Sequence, residues 1–345
     1  MYVRPVGLGC MGFSHAYGLA QDKETAIQTI RQAYEMGYNF FDTAECYTGE
    51  NADGSISYNE ELVGTALKDV RNQVIIVTKF GVEHKGDHLE LDSSPKKIRE
   101  SIEGSLKKLQ TNYIDLYYQH RIDPNVEPEA VAQVMKELIE EGKIKAWGIS
   151  ETDENYLRRA HAVCPVTAIQ NRYSMMARWH ENLFPVCAEL GITYVAFSPM
   201  ANGILSGQFT PQSAFEKGDF RNNMPQYQKE GYQKAEKLLS LLKDLAKKKN
   251  CTMNTVGLVI RINSKSSGDG SLSFYPVYEY YANGMKYTNE GASIKHCVPQ
   301  VGVKVPVMYN PAKPKQSYIP GYDNKVYKIL AIVFGIIGCI PILVC

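Results

Sequence analysis

The sequence has no C-x-x-C pair and no grouping of cysteine with histidine: its eight cysteines stand apart at 10, 46, 164, 187, 251, 297, 339 and 345. Such spacing supplies neither a zinc ligand set nor the dense framework of a small disulfide scaffold. Reduced thiols in a cytosolic setting fit it best. Surplus charge is lacking too. With 38 basic against 37 acidic residues the formal charge is +1, which leaves no electrostatic footprint for nucleic acid. The opening stretch Met1–Gly12 is short, glycine-rich and without the apolar core of a secretion signal. What remains is ample: 345 residues, 44% of them hydrophobic, fill two average domains or one α/β barrel with something small beside it.

The averages conceal a change of character. Residues 256–345 carry 9 basic and 4 acidic side chains and 9 of the 23 tyrosines, whereas residues 1–255 carry 29 basic and 33 acidic. The later part reads as β-branched or alternating runs, Val256–Ile262, Phe274–Tyr281 and Val301–Met308, and ends in 17 apolar residues, Ile329–Cys345. Seventeen is the lower edge of a membrane-spanning helix. Lys325, Tyr327 and Lys328 stand before it as interfacial anchors, and Gly335, Gly338 and Pro341 suit a membrane helix better than a soluble one. The expectation is a hydrophobic C-terminal helix at 325–345 that tethers the chain to a membrane, with residues 1 to about 255 cytoplasmic. A buried helix of a soluble domain is the alternative.

Up to residue 255, short β-branched or aromatic runs alternate with helical patterns. The runs are Val6–Cys10, Tyr38–Asp42, Val74–Lys79, Tyr113–Tyr118, Ile144–Ile149, Val166–Gln170 and Ile192–Phe197. Asp22 opens a helix whose apolar positions keep the helical period, and Gly37 closes it. Ser94 with Pro95 opens another through Ile98, Ile102, Leu106 and Leu109. Strands that alternate with helices pair in parallel through right-handed crossovers. Seven such units with no switch to a longer connection favour a (β/α)8 TIM-type barrel lacking its last unit over an open doubly wound sheet. Gly7, Gly9 and Gly12 do match the dinucleotide fingerprint G-x-G-x-x-G. That fingerprint requires a helix beginning at its last glycine, and here the first helix cap is Asp22, so the glycines read as a tight turn.

In a β/α barrel the chemistry lies at the carboxyl ends of the strands. There the sequence places Asp42, with Tyr47 five residues on, then Lys79 and His120. Each has an ordinary alternative: a cap carboxylate, one tyrosine among many, a solvated lysine, a rim histidine. Together they make an acid apparatus for giving a proton to a carbonyl while hydride reaches its carbon. A phenol with pKa ~10 is a weak acid at neutral pH, and an ammonium beside it lowers that value. Lys79 is expected to do this to Tyr47, Asp42 to keep Lys79 placed and charged, and His120 to orient the carbonyl oxygen.

The segments FFDTAECY, NEELVG, VTKFG, LYYQHRID, WGISE, IQNRYS and FSPMANGILSG, in this order over residues 4–253, resemble the aldo-keto reductase family. The resemblance implies a (β/α)8 barrel that reduces a small aldehyde or ketone with NADPH. Position by position, Asp42, Tyr47, Lys79 and His120 match the family's catalytic tetrad. Ser150 and Gln170 match the residues that bind the nicotinamide carboxamide. Phe197 stands for the tyrosine that stacks on the nicotinamide ring and keeps its π-face. Ser198, Met200, Asn202, Gly203, Leu205 and Gly207 match the loop around the pyrophosphate.

Two departures accompany the resemblance. The family's N-terminal hairpin is almost absent, and after Met253 the last strand, the closing helix and the basic clamp on the adenosine 2′-phosphate are replaced. The continuation, with its Y-P-V-x-E-Y, N-G-x-x-Y and V-x-Y-N-P pieces, looks like part of an uncharacterised bacterial membrane-protein family with a β-rich domain. Three parts are therefore expected: a barrel at 1–255, a β-rich segment at 256–324 and a transmembrane helix at 325–345. Two functions follow: an NADPH-dependent carbonyl reductase, or a truncated or chimeric, catalytically weak protein tethered to a membrane. In a third arrangement Val256–Ile262 completes the barrel as strand eight. Neither substrate nor oligomeric state can be read from the residues.

Overall fold

The computed structural model describes residues 3–85, 88–210, 212–248, 253–266, 272–282, 285–291, 299–310 and 313–319. They fall into two compact units. The first holds the chain through Pro199 together with Phe215–Arg221, and the second holds Met200–Ala214 and the chain from Asn222 onward.

In the first unit strands and helices alternate as β1 (Leu8–Gly9), α1 (Lys23–Glu35), β2 (Phe40–Asp42), β3 (Thr48–Glu50), β4 (Ile56–Tyr58), α2 (Asn59–Leu67) and β5 (Ile75–Phe80). There follow β6 (Val82–Lys85), β7 (His88–Leu91), α3 (Pro95–Lys108), β8 (Leu116–Gln119), α4 (Pro128–Glu140), β9 (Trp147–Ser150) and α5 (Glu154–Val163). The series ends with β10 (Ala168–Arg172), α6 (Leu183–Leu190) and β11 (Thr193–Phe197). Seven of these strands make one parallel sheet in the order β1-β2-β5-β8-β9-β10-β11, while β3/β4 and β6/β7 are separate hairpins. The helices begin where their caps predict. Asp22 accepts a hydrogen bond from the Thr25 amide at 2.9 Å, and Ser94 accepts one from the Lys97 amide at 3.3 Å. After Gly9 the chain makes only a 3-10 turn, Met11–Phe13, before α1, so no helix N-terminus meets Gly12 and the dinucleotide fingerprint is a turn.

Period-two alternation gives the sheet two different faces. Phe41, Ile76, Tyr117, Ile149 and Ile169 pack on the helices with Ile30, Leu62, Ile98, Met135 and Leu157. The intervening Phe40, Ile75, Val77, Leu116, Tyr118 and Ala168 form a second core on the opposite face. By the same alternation Asp42, Lys79, Ser150, Gln170 and Phe197, at the carboxyl ends of their strands, share that second face. Gly148 is required there: a Cβ would lie 2.4 Å from both the Ala168 carbonyl oxygen and the Tyr118 ring.

The second unit contains α7 (Lys229–Lys248) and five antiparallel strands, β12 (Met253–Ser266), β13 (Leu272–Ala282), β14 (Met285–Glu290), β15 (Lys304–Asn310) and β16 (Lys313–Tyr318), in the order β14-β13-β12-β15-β16. Val259, Tyr278, Tyr280, Val305, Val307 and Tyr309 make its core. The Asn289 side-chain amide donates to the Lys315 and Ser317 carbonyls at 3.2 Å each and ties edge strand β14 to edge strand β16.

This pairing corrects one expectation. Val256–Ile262 is not an eighth barrel strand, because it lies within β12, whose partners are β13 and β15, both antiparallel. Strands close in sequence close shorter loops than a parallel return to β1 would need, and local antiparallel pairing prevails. The expected (β/α)8 barrel is thus a seven-strand parallel sheet in which, among the described residues, β1 pairs only with β2 and β11 only with β10. The apolar run Ile329–Cys345 and its flank from 325 lie outside the described residues. Among those described, no helix is long and apolar enough to cross a membrane.

Replacing Gly148 by Ala is expected to destabilise the first unit by about 1 to 3 kcal/mol, the usual cost of overpacking. A denaturant midpoint equal to that of the parent chain would contradict the close approach.

Candidate active site

The geometry centres on Lys79, whose side chain is 1% exposed. Its ammonium pairs with Asp42 Oδ1 and donates to the Thr43 carbonyl at 2.8 Å and to the Tyr47 hydroxyl at 3.4 Å. The other carboxylate oxygen of Asp42 accepts from the Gln170 side-chain amide at 2.7 Å. Strand register explains the meeting: Asp42 ends β2 opposite Val77, and Lys79 sits two residues further along β5, on the same face. Tyr47 follows in the turn after β2, its amide bonded to the Ala44 carbonyl at 3.1 Å. His120 comes directly after β8, its backbone amide on the Phe80 carbonyl at 2.9 Å, and its ring meets Tyr47 edge-on at 5.6 Å. The four predicted residues are therefore brought together.

Their ionisation differs in part from expectation. Burial pushes the Tyr47 hydroxyl above its ordinary pKa, and the pull of Lys79 in the other direction only reduces that rise. The predicted net lowering by Lys79 is not found, because an enclosed phenolate loses more hydration than one ammonium, already paired with Asp42, returns. Burial is the largest single influence on Lys79 and works against its charge, but Asp42 and Tyr47 together outweigh it and the pKa lies above the ordinary lysine value. His120 is held well below the ordinary histidine value, first by burial and then by the positive charges of Lys79 and Arg121. It is neutral at physiological pH.

Ser150 and Gln170 are register partners on β9 and β10. The Ser150 hydroxyl accepts from Arg121 at 3.2 Å. Phe197 ends β11, with the Arg172 guanidinium 5.4 Å from its ring centroid. Ser198 follows in the left-handed region, φ +52°. Met200, Asn202, Gly203, Leu205 and Gly207 belong to the second unit, where Ala201–Ser206 is a 3-10 turn. Within it the amides of Gly203 and Leu205 donate to the Met200 carbonyl, and that of Gly207 to the Ile204 carbonyl. The structure thus carries Asp42, Tyr47, Lys79, His120, Ser150, Gln170 and Phe197 on one unit and the 3-10 turn with Met200, Asn202, Gly203, Leu205 and Gly207 on the other.

Other residues shape the site without having been singled out. Asn59 is 1% exposed; it accepts from Thr43 Oγ1 at 2.7 Å and donates to the Cys10 carbonyl and Ser14 Oγ, both at 2.8 Å. It thereby fixes Thr43, whose carbonyl holds Lys79. His15 donates through Nδ1 to the Thr48 carbonyl at 2.7 Å and stacks on Tyr47 at 5.7 Å, with His84 4.8 Å from His15 on its own account. The signal for Asn59 in the sequence was its place at the head of the segment NEELVG. A cavity of about 420 Å³ lies beside the ends of β5 and β8, lined by Gly81, Val82, Leu91, Lys97, Asp123 and Asn125 among others. Among the described residues no group of histidine, cysteine or carboxylate side chains has the geometry to hold a metal.

The depressed pKa of His120 sets a sign for acid stability. Its unfolded form binds a proton near pH 6.5 and its folded form does so only at lower pH, so its contribution is full above about 6.5 and is lost as pH falls below it. His120→Gln is expected to flatten the loss of stability on acidification in urea-unfolding series. An unchanged slope would contradict the buried neutral imidazole.

Comparison with known proteins agrees with the geometry. The model of the Aldo/keto reductase family matches residues 5–259, and that of a domain of unknown function, DUF3592, matches residues 255–324. A probable aldo-keto reductase of Glycine max is 38% identical over 253 residues, covering 72% of this chain and 71% of its own length. Among solved structures, a glycerol dehydrogenase of Gluconobacter oxydans matches with a TM-score of 0.64 at 27% identity, over 72% of this chain and 76% of its own. The holo form of an aldo-keto reductase of Bacillus halodurans matches with a TM-score of 0.54 at 30% identity, over 63% and 70%.

Proposed function

The chain belongs to the aldo/keto reductase family, and on that footing we propose that it reduces a small aldehyde or ketone to the alcohol with NADPH, Tyr47 giving the proton. The observation that carries this is the contact of a buried, charged Lys79 with both Asp42 and the Tyr47 hydroxyl. When bound, NADPH supplies the hydride to the carbonyl carbon. The residues present suit its nicotinamide end: Ser150 and Gln170 set a hydroxyl beside an amide across adjacent strands, the donor and acceptor a carboxamide needs, and Phe197 offers an aromatic face.

In this reading the carbonyl oxygen sits between Tyr47 and His120. As negative charge develops on that oxygen, the Tyr47 hydroxyl transfers its proton, and the tyrosinate left behind is met by the Lys79 ammonium. The raised pKa of Tyr47 keeps the proton in place until that moment, and it is the developing alkoxide, more basic than the phenolate, that draws it across. Neutral His120 contributes a hydrogen bond to the oxygen without contributing charge. Asp42, held by Gln170, keeps Lys79 in reach of Tyr47 and ionised.

One observation favours the second reading, a catalytically weak protein: the seven-strand sheet has no eighth strand from the described part of the chain. Turnover separates the two.

Tyr47→Phe is expected to lower aldehyde-dependent NADPH oxidation by about a hundredfold or more, the usual range for a lost general acid, while quenching of protein fluorescence by NADPH stays as in the parent. Undiminished turnover in this variant would overturn the assignment. Lys79→Met is expected to lower the rate and move its pH dependence.

Cofactor affinity is expected to be low and preference for NADPH over NADH slight. Two observations support this reading: the family match ends at residue 259, and Met253–Ser266 is a strand of the antiparallel sheet where the resemblance would put the approach to the 2′-phosphate clamp. Two charge-assisted bonds to a phosphate, at about 1.5 to 3 kcal/mol each, correspond to a hundredfold or more in affinity. Tight, NADPH-selective binding in titrations would show that other residues have taken over the clamp.

A further inference from the structure

Cys46 is one of four buried free cysteines that the proposed chemistry leaves unused, and it lies against a residue that the chemistry does use. It stands in the turn between β2 and Tyr47, 8% exposed, with Sγ 3.4 Å from Nδ1 of His120, itself 7% exposed. We infer that Cys46 is a positioning residue for His120: its thiol donates a hydrogen bond to Nδ1 and thereby fixes the tautomer that carries the ring proton on Nε2. The inference rests on the reading of His120 as the group that faces the carbonyl oxygen, and extends it to how that imidazole is kept in the donating form.

A buried neutral imidazole has one nitrogen with a proton and one with a lone pair, and whichever partner one nitrogen finds decides the role of the other. Between sulfur and Nδ1 only two arrangements exist, S–H to nitrogen or N–H to sulfur. An imidazole lone pair is a strong acceptor and a thiol sulfur a weak one, which favours the first. Burial pushes the Cys46 thiol up to about 12, so its proton is retained, and the imidazole is neutral for the reasons given above. Nδ1 is then the acceptor and Nε2–H is free to donate. In the opposite tautomer Nε2 would present a lone pair to the substrate oxygen and repel it. The arrangement is braced from both sides: Thr48 donates its backbone amide to the Cys46 carbonyl at 2.9 Å, and the Arg121 guanidinium donates to the His120 carbonyl at 2.5 Å.

The same thiol proton that serves as donor also makes Cys46 a poor nucleophile, since it is the thiolate that reacts. Its role is geometric, with no bond made or broken during turnover.

The test uses the full chain with 15N-labelled histidine rings, the His120 signals being identified by their loss in His120→Gln. The expected result has the proton on Nε2 and an unprotonated Nδ1 shifted by hydrogen bonding. Cys46→Ala is expected to move the Nδ1 resonance to that of a free acceptor and to lower kcat about fivefold, the rate equivalent of one ordinary hydrogen bond, with KM for NADPH unchanged. Cys46→Ser, which keeps a donor at the same position, is expected to restore both. A proton on Nδ1 in the parent, an Nδ1 resonance indifferent to Cys46→Ala, or an undiminished kcat in that variant would overturn the inference. Because the tautomer is read without substrate, a parent chain that turned nothing over would count against the proposed function while the spectrum still decided the role of Cys46.

Discussion

A lysine ammonium with 1% of its side chain exposed is the constraint around which the first unit is organised. An unpaired ion in that position would cost several kcal/mol even after relaxation, so the charge dictates its surroundings. Asp42 neutralises it, the Thr43 carbonyl takes a second ammonium proton and the Tyr47 hydroxyl lies at the third. Each of these is anchored in turn. Gln170 occupies the free carboxylate oxygen of Asp42, and Asn59 ties Thr43 to the loop after β1 through Cys10 and Ser14. The chemistry proposed for Tyr47 depends on this chain of partners as well as on the tyrosine itself.

The sheet makes the arrangement affordable in conformational terms. Parallel pairing with helices on one face leaves the other face to Phe40, Val77, Tyr118 and Ala168, and the polar residues continue that face to the strand ends. The absence of a Cβ at Gly148 lets Tyr118 close beneath them. The second unit meets its own needs, with a tyrosine-rich core in a five-stranded antiparallel sheet whose edges are tied by Asn289. Here one segment of chain, Val256–Ile262, could have served either unit, and local pairing decided for the second.

Much of this was legible from residue order. The seven strand runs and the caps Asp22, Gly37 and Ser94 are local signals, and the structure places strands and helices within a few residues of them. The types and spacing of Asp42, Tyr47, Lys79 and His120 at successive strand ends were equally readable, and these side chains do converge. What stayed hidden was decided by partners distant in sequence. The β-branched run Val256–Ile262 suits a parallel or an antiparallel strand alike, and only its pairing with β13 and β15 tells them apart. The pKa of Tyr47 depends on how completely the turn encloses it, which spacing does not encode. Gln170 reads as a cofactor ligand by resemblance, yet its hydrogen bond to Asp42 spans 128 residues. Cys46 reads as a filler between Glu45 and Tyr47 until His120, 74 residues on, is set against it.

The measurement that bears most directly on the site built around Lys79 is transfer of label. The full chain would be incubated with NADPH carrying deuterium at both C4 positions of the nicotinamide ring and a simple aldehyde, and the alcohol analysed by mass spectrometry. The account predicts one deuterium on the carbinol carbon with the hydroxyl proton drawn from the protein and exchangeable with solvent. Alcohol formed without deuterium, or cofactor bound and no alcohol formed, would contradict it.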